Sequence, residues 1–220
     1  MLYIFFIMIA IIDYKAGNLT SVKRALDFLG QESSITKDYS AIMEAERMIF
    51  PGVGAAGSAI ADLKSQGLDK AILDFFHSKR PILGICLGTQ IIMEMSHENN
   101  TQCLGLIKGE VRRFQEHLID SEGIRLKVPQ MGWNSVALKR RHPLFEGVDP
   151  ENEFYFVHSY YPVPDLPATI LGETHYGIWF PSVLVSGNLI ATQFHPEKSG
   201  RPGLRILDNF CKWNGKQHAE

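Results

Sequence analysis

Strand-like and helix-like segments alternate through the first hundred residues, and this alternation restricts the fold more than any other feature of the sequence. An apolar strand at 9–12 precedes helical spacing of apolar residues over 18–30, where Asn18 is the predicted N-cap. A strand at 47–50, helical patterns over 58–79 and a strand at 81–85 follow, the last leading into a predicted helix that includes TQIIMEM. This order of elements builds a parallel sheet with helices on its faces.

The second half of the chain differs, because residues 105–195 carry mainly strand-like segments separated by turns. An amphipathic helix closes the chain, with Leu204, Leu207, Phe210 and Cys211 predicted to face inward. With 220 residues, 45% of them apolar, the chain suits one α/β domain with a sizeable core better than two small ones.

Charge and cysteine content exclude several classes of protein. A formal net charge of −2 gives no bulk attraction to nucleic acid or to acidic membranes. Cys86, Cys103 and Cys211 are too few and too scattered for a disulfide framework, and no C-x-x-C spacing indicates a metal site. A reduced, cytoplasmic setting is the simplest interpretation.

The N-terminus is an uninterrupted apolar run of twelve residues. A helix that spans a bilayer needs about 20, and the run lacks the features of a signal peptide. We interpret residues 1–7 as an apolar extension, Met8 as a plausible alternative start and residues 8–214 as the single domain. A membrane anchor is the alternative.

The sequence GICLG places Cys86 between Gly84 and Gly88, after an apolar strand and before a helix. Gly-x-Cys-x-Gly in this context is the thiol version of the nucleophile elbow, whose glycines permit a sharp turn and close helix–strand packing. The thiol would stand at the carboxyl end of a strand and at a helix N-terminus, which favours the thiolate. The alternative is a buried cysteine in a glycine-rich turn.

A thiolate nucleophile requires a base, and the base requires an orienting group. His195 ends the apolar strand in ATQFHPEKS, and Glu197 lies two residues further on, across Pro196. In extended chain these two side chains lie on the same side. We therefore predict a Cys86–His195–Glu197 relay, although His195 by itself would suggest only a surface turn.

The segment GVGAAG at 52–57 fits the dinucleotide pattern G-x-G-x-x-G, but it does not follow the first strand and Pro51 precedes it. An oxyanion hole is the other use of such a loop, because free backbone N–H groups beside a nucleophile stabilise a tetrahedral intermediate. The N–H of Leu87 is the natural second donor.

Together, GICLGTQ, PGVGA and QFHPEKS resemble the class I (triad) glutamine amidotransferases. DYKAGNL, VPQMGWN and FYFVHSYY narrow the resemblance to the glutaminase subunits of imidazole glycerol phosphate synthases, over about residues 9–210. The resemblance implies a flavodoxin-like three-layer sandwich with a mixed, mostly parallel central sheet. It implies no cofactor and no metal.

The resemblance also implies a mechanism and the roles of individual residues. Cys86 attacks the side-chain amide of L-glutamine to give a thioester, and His195, oriented by Glu197, transfers the proton. The implied oxyanion-hole residues are Gly52, Val53, whose N–H must turn inward, and Leu87. The implied glutamine-binding residues are Gly54, Gln90, Glu98, Ser159 and Tyr160. The implied partner-interface residues are Asn18, Trp133, Asn134, Tyr155 and Lys198.

The implied partner is a (βα)₈ barrel cyclase that forms a heterodimer with the chain and receives its ammonia. Lys15 stands where family members usually have glycine, in a loop near that interface. Three alternatives remain: a paralogue that supplies ammonia for amidation of a surface sugar, a free-standing cysteine hydrolase, and a subunit that only stabilises its partner. Without the resemblance, Trp133 and Tyr155 could equally be core aromatics, and Gln90 could lie on the helix surface.

Overall fold

The computed structural model of the chain describes residues 8–15, 17–120 and 122–216. The predicted extension at 1–7 lies outside them. Every helix within these ranges is too short or too polar to cross a membrane.

The order of the elements follows the predicted alternation of strands and helices. The α-helices of the described residues are α1 (Leu19–Phe28), α2 (Tyr39–Glu44), α3 (Ala56–Ser65), α4 (Leu68–His77), α5 (Leu87–Ile91) and α6 (Gly200–Lys212). The strands in the first half are β1 (Ile9–Ile12), β2 (Ser33–Thr36), β3 (Arg47–Gly52), β4 (Ile82–Cys86), β5 (Met95–Ser96), β6 (Thr101–Gln102) and β7 (Gly109–Arg113). The strands in the second half are β8 (Gln130–Ser135), β9 (Ala137–Leu138), β10 (Glu153–His158), β11 (Tyr160–Pro164), β12 (Ile170–His175), β13 (Trp179–Ser186) and β14 (Leu189–Thr192).

The central sheet has the strand order β2-β1-β3-β4-β14-β13-β12-β9. The pairings from β2 to β14 are parallel, and those from β14 to β9 are antiparallel. Two smaller sheets, β10-β8 and β11-β7-β5-β6, complete the strand pairing. The predicted mixed, mostly parallel sheet is confirmed.

Apolar side chains from both faces of the sheet form two cores. In β1, Ile9 and Ile11 point into one core with side chains of α1 and α6. Ala10 and Ile12 point into the other, with side chains of α2, α3 and α4. Because successive strand residues face opposite sides, β1 is apolar at every position and is buried throughout. The result is the predicted three-layer sandwich.

The helix predicted to run through TQIIMEM is wrong in its second half. Helix α5 ends at Ile91, and Met95–Ser96 forms a strand instead. The run from Ile91 to Met93 is buried at every position, so its apolar pattern cannot distinguish a helix from other buried chain. Pairing with β6 and β7 decides the conformation of Met95.

Three neighbouring parallel strands end at the same edge of the central sheet. Gly52 at the end of β3 pairs with Cys86 at the end of β4, and β14 pairs with the other side of β4. His195 follows β14 by three residues. This edge therefore brings together three segments that are distant in the sequence.

Candidate active site

Cys86 occupies a sharp turn between β4 and α5. Its backbone has φ 53° and ψ −104°, in a region that a residue with a side chain seldom adopts. Gly84 and Gly88 have no such φ. They serve close packing instead, because a Cβ on Gly88 would lie 2.0 Å from the carbonyl oxygen of Phe50. The predicted elbow is present, but its strain lies on Cys86 rather than on the glycines, as is common at functional sites.

His195 and Glu197 form a buried pair beside this cysteine. Nδ1 of His195 lies 2.7 Å from Oε1 of Glu197, and both side chains are fully buried. The segment Pro196–Lys198 is a 3₁₀ turn rather than the extended chain predicted, yet it brings the two side chains together. Nε2 of His195 has no hydrogen-bond partner among the described residues. The opposite edge of the ring is thus left to Cys86, with whose sulfur the ring interacts.

The charge state of His195 follows from its neighbours. Burial acts to lower its pKa, but the neighbouring Cys86 sulfur and the Glu197 carboxylate outweigh burial and raise the pKa to about 10. The imidazole is therefore protonated at neutral pH and carries its positive charge next to the Cys86 sulfur. The site thus places a protonated imidazole beside a candidate nucleophile.

A second histidine, His158, lies near the site but differs in charge. Burial lowers its pKa to about 3, against the effect of a hydrogen bond to the Tyr160 carbonyl. Its Nδ1 lies 2.7 Å from that oxygen, and a carbonyl only accepts, so Nδ1 carries the proton of a neutral ring. Of the two rings, only that of His195 is positively charged at neutral pH and can act as a proton donor there.

Asn18 behaves differently from its predicted role as a helix cap. It stands at the N-cap position of α1 with φ 79°, but its side chain makes no capping hydrogen bond. Instead its amide donates to Oε1 of Glu197 and lies 3.4 Å from Nδ1 of His195. Asn18 therefore fixes the carboxylate that orients His195. Its implied contact with a partner stays a prediction.

A pocket of about 340 Å³ opens above the cysteine. Its size lies at the small end of the range for small-molecule sites. Eight residues implied for substrate binding, the oxyanion hole or nucleophilic attack line it: Val53, Gly54, Cys86, Leu87, Gln90, Glu98, Ser159 and Tyr160. Pro129, Val157 and His158 complete the lining. The structure thus brings together residues that lie up to 107 positions apart, as the resemblance implies.

A chain of hydrogen bonds joins the pocket wall to the nucleophile. The amide nitrogen of Gln90 lies 2.9 Å from the Tyr160 carbonyl oxygen and 3.2 Å from Oε1 of Gln193. The amide nitrogen of Gln193 in turn lies 3.7 Å from the Cys86 sulfur. Gln90 is buried, so its alternative assignment to the helix surface is wrong. Gln193 was not among the predicted site residues. It lies two residues before His195 in the motif QFHPEKS, and this closeness could have indicated its role.

The glycine-rich loop is held from two sides. Oε2 of Glu98 accepts a 2.6 Å hydrogen bond from the backbone N–H of Ala56 at the start of α3. On the other side, Val53 packs so closely on Gly17 that a Cβ there would lie 2.8 Å from its Cγ2. Lys15, in the same loop as Gly17, has φ 65°, a conformation that explains a preference for glycine at its position.

Three of the implied interface residues, Trp133, Tyr155 and Lys198, lie close to one another near His195. Trp133 on β8 is 52% exposed, which excludes the core assignment, and its ring contacts that of Tyr155 at 5.9 Å between centroids. Nζ of Lys198 lies 6.0 Å from the Tyr155 ring, and Asn134 donates to the His175 carbonyl at 2.9 Å. The Tyr155 carbonyl accepts from the N–H of His195 at 2.9 Å. This surface is thus one hydrogen bond away from His195.

The fold and the site together define a class I glutamine amidotransferase. The model of the family described as "Glutamine amidotransferase class-I" matches residues 10–213, and the chain belongs to this family. Two solved structures share the fold: a glutamine amidotransferase (TM-score 0.66, 18% identity, covering 93% of this chain and 99% of that one) and PurLQS from Thermotoga maritima (TM-score 0.71, 16% identity, 93% and 97%).

Curated relatives narrow the assignment further. A protein of Maridesulfovibrio salexigens is 52% identical over 206 residues, covering 94% of this chain and 97% of the relative. Proteins of Desulfovibrio desulfuricans (50% identical, covering 97% and 98%) and Neisseria meningitidis (46% identical, covering 93% and 99%) are similar over the same extent. All three are named imidazole glycerol phosphate synthase subunit HisH, and within the amidotransferases the chain belongs with these subunits.

Proposed function

We propose that this chain hydrolyses L-glutamine at Cys86 and supplies the ammonia to a separate synthase subunit. The observation that carries the proposal is the buried His195–Glu197 pair, which interacts with a strained cysteine that lines a pocket. Residues 8–214 form the amidotransferase domain. Like its named relatives, the chain is the glutaminase subunit of imidazole glycerol phosphate synthase in histidine biosynthesis.

The reaction has two steps, and Nε2 of His195 transfers a proton in each of them. The Cys86 thiolate attacks the side-chain carbonyl carbon of glutamine, and the new oxyanion receives hydrogen bonds from the N–H groups of Leu87 and Val53. Nε2 of the His195 imidazolium gives its proton to the amide nitrogen, the C–N bond breaks and ammonia leaves a glutamyl thioester. Nε2 then takes a proton from water as the water attacks, and the C–S bond breaks to release glutamate and the thiolate.

Glutamine binding is assigned to the pocket wall. The carbonyl and amide groups of the Ser159–Tyr160 segment, the side chain of Gln90 and the carboxylate of Glu98 surround the space above Cys86. Glu98 carries the charge that complements the α-ammonium group of an amino acid. Gly54 leaves room beside it, since no atom of residues 8–15, 17–120 or 122–216, apart from Gly54 itself and its two chain neighbours, lies within 4 Å of the position that its Cβ would occupy.

We assign the partner to a (βα)₈ cyclase that docks on Trp133, Asn134, Tyr155 and Lys198. Exposed aromatic side chains are typical anchors of protein interfaces. Tyr155 hydrogen-bonds to His195, and Lys198 shares a turn with Glu197, so docking can act on the catalytic pair. The two chains form a heterodimer in the cytoplasm, a location consistent with three free, buried cysteines.

Glutamate release should depend on the partner. We expect slow release by the chain alone, and a rise of about 10- to 100-fold when the cyclase and its nucleotide substrate are added, the usual range of coupling between sites. The assay measures glutamate under three conditions: chain alone, chain with cyclase, and chain with cyclase and nucleotide. Full activity of the chain alone would instead indicate a free-standing hydrolase, and no response to this cyclase would indicate another pathway.

A matched pair of variants tests the position of the docking surface by comparing their affinities for the cyclase. Trp133→Ala should weaken binding of the cyclase by about 10-fold or more, as expected for an exposed aromatic anchor. Phe28→Ala is the control, because Phe28 is 77% exposed at the end of α1 and lies outside the proposed surface. Equal affinities for the two variants would contradict the proposed docking surface.

The pH dependence of the reaction follows from His195. Its pKa of about 10 lies above the ordinary value of 6.5, so the imidazolium that protonates the leaving ammonia persists until pH rises through about 10. We expect kcat/KM for glutamine to fall on the alkaline side near that pH. Glu197→Gln should lower kcat by about 10²- to 10⁴-fold and move the alkaline limb to lower pH, because the carboxylate that stabilises the imidazolium is gone.

The same pKa predicts the pH dependence of stability. A group whose pKa is raised in the folded state stabilises the fold fully below its unfolded pKa, here 6.5. That contribution is lost as pH rises towards 10. Thermal unfolding of wild type and Glu197→Gln across pH 6–10 measures it, and curves that run parallel across this range would contradict the assignment of the charge.

A further inference from the structure

The Tyr14 side chain carries a polar group that the proposed reaction does not use. Tyr14 is 1% exposed, and its ring packs on Phe50 with centroids 5.2 Å apart. Its hydroxyl is buried and has no hydrogen-bond partner among the described residues. A buried hydroxyl without a partner is unfavourable, and phenylalanine would fill the same space without that penalty. A buried, unpaired hydroxyl in a site of this kind therefore requires an explanation.

The position of this hydroxyl points to the oxyanion hole. A Cβ built on Gly52 would lie 1.9 Å from the Tyr14 oxygen and 3.1 Å from Cβ of Leu87. The hydroxyl thus fills the side-chain position of Gly52, next to Leu87, and these two residues flank the proposed oxyanion hole. This contact also explains the glycine, because any side chain at position 52 would collide with the hydroxyl.

The phenol of Tyr14 is fit to donate a hydrogen bond. Burial, and then the negative charge of Cys86, raise its pKa well above the ordinary value. The hydroxyl therefore keeps its proton at every pH at which the enzyme works. What it lacks, within the part of the chain that the structure describes, is an acceptor.

Rotation of the Gly52–Val53 peptide would supply that acceptor. Turning this peptide about the Cα–C bond of Gly52 moves the Gly52 carbonyl oxygen and the Val53 N–H in opposite directions, since both belong to one plane. Glycine permits the rotation because it has no Cβ. The hydroxyl already lies against the Gly52 backbone, so a carbonyl that swings to that face comes within hydrogen-bond reach.

We propose that Tyr14 is a positioning residue that holds the oxyanion hole open for catalysis, by donating a hydrogen bond to the Gly52 carbonyl when the Val53 N–H turns towards Cys86. The proposal rests on the oxyanion role assigned above to Val53. In this structure the bond is not made. The unpaired hydroxyl therefore destabilises the present orientation of the Gly52–Val53 peptide. Because the rotated orientation would pair the hydroxyl, the equilibrium is biased towards the orientation needed for catalysis.

Tyr14→Phe tests the proposal in the complex with the cyclase and its nucleotide substrate. We expect kcat for glutamate release to fall about 2- to 10-fold, the factor for losing one neutral hydrogen bond, with the KM for glutamine unchanged. The melting temperature should stay the same or rise, because the unpaired hydroxyl is removed. Tyr39→Phe is the control, since the Tyr39 hydroxyl bonds Asp74 on the surface, and its activity should equal that of wild type.

A second readout separates the oxyanion hole from the nucleophile. Alkylation of Cys86 by iodoacetamide needs the thiolate but no oxyanion hole, so its rate should be equal in wild type and Tyr14→Phe. Unchanged kcat, slower alkylation, or a lowered melting temperature in Tyr14→Phe would each overturn the proposal. If wild type itself released no glutamate with its partner, the proposed function would fail rather than the role of Tyr14.

A double variant tests the contact itself. Gly52→Ala should lower the melting temperature, because its Cβ would collide with the Tyr14 hydroxyl. In the Tyr14→Phe background the colliding atom is absent, so the same substitution should lower the melting temperature less. If Gly52→Ala lowered the melting temperature equally in wild type and in Tyr14→Phe, the hydroxyl would not occupy the side-chain position of Gly52, and this result would also overturn the proposal.

Discussion

Replacing Cys86 with alanine should reduce glutamine-dependent product formation by the complex at least 10³-fold, because no other group in the site can form the thioester. Losses of this size are typical when a covalent nucleophile is removed. Ammonia added directly should still support product formation, because in the proposed mechanism Cys86 acts only on glutamine. The measurement is product formed from glutamine and from ammonium salt by wild type and Cys86→Ala, each with the cyclase and its nucleotide substrate.

Cys103→Ala is the matched control for this experiment. Cys103 is also a free, buried cysteine, but burial raises its pKa to about 11, so it remains a thiol near neutral pH. Burial likewise raises the pKa of Cys211 to about 12. We expect Cys103→Ala to retain wild-type activity with glutamine. Undiminished glutamine-dependent activity in Cys86→Ala would refute the thioester mechanism and revive a purely stabilising role for the chain.

The parts of the site that could be predicted from sequence are those encoded by local patterns. Cys86 lies in a five-residue motif between a strand and a helix, and His195 and Glu197 lie two residues apart at a strand end. Each motif suggested its own geometry. The parallel sheet then brought the strand ends to one edge, as the alternation of strands and helices required.

Contacts between distant segments could not be predicted in this way. Asn18 has the sequence context of a helix cap, but its side chain reaches a carboxylate 179 positions away. Nothing near Tyr14 indicates that its hydroxyl meets Gly52, and nothing near Gln193 indicates that its amide reaches the Cys86 sulfur. Such roles follow from packing across the sheet, on which local sequence carries no information.

The prediction of secondary structure also failed in the buried segment after Gln90, where contacts with distant segments decide the conformation. The apolar residues after Gln90 fit a helix as well as other buried chain, and only the pairing of Met95–Ser96 with β6 and β7 shows that a strand follows. Strand β8 also lacks a clear alternating pattern in sequence, because its exposed residues include Met131 and Trp133. The exposed apolar side chains of Met131 and Trp133 make the strand hard to predict from sequence, and they also indicate the proposed docking surface.

Gly88→Ala should be the most destabilising single-methyl change in the elbow. The new Cβ would lie 2.0 Å from the carbonyl oxygen and 3.1 Å from the carbonyl carbon of Phe50. Both are backbone atoms of β3, so no flexible side chain can move aside, and α5 must shift away from the sheet. We expect a loss of more than about 3 kcal/mol in the free energy of unfolding, or about 10 °C in melting temperature, together with loss of glutaminase activity as Cys86 is displaced.

Gly57→Ala provides the control because Gly57, like Gly88, is the second residue of its helix and has no left-handed φ. The nearest atom to its added Cβ is Oγ1 of Thr101 at 3.3 Å, the end of a side chain that can adjust. Alanine also favours the helix over glycine by about 1 kcal/mol. Its melting temperature should therefore equal or exceed that of wild type. If Gly88→Ala had the same melting temperature as Gly57→Ala, the close approach of α5 to β3 would not be the reason for glycine at position 88.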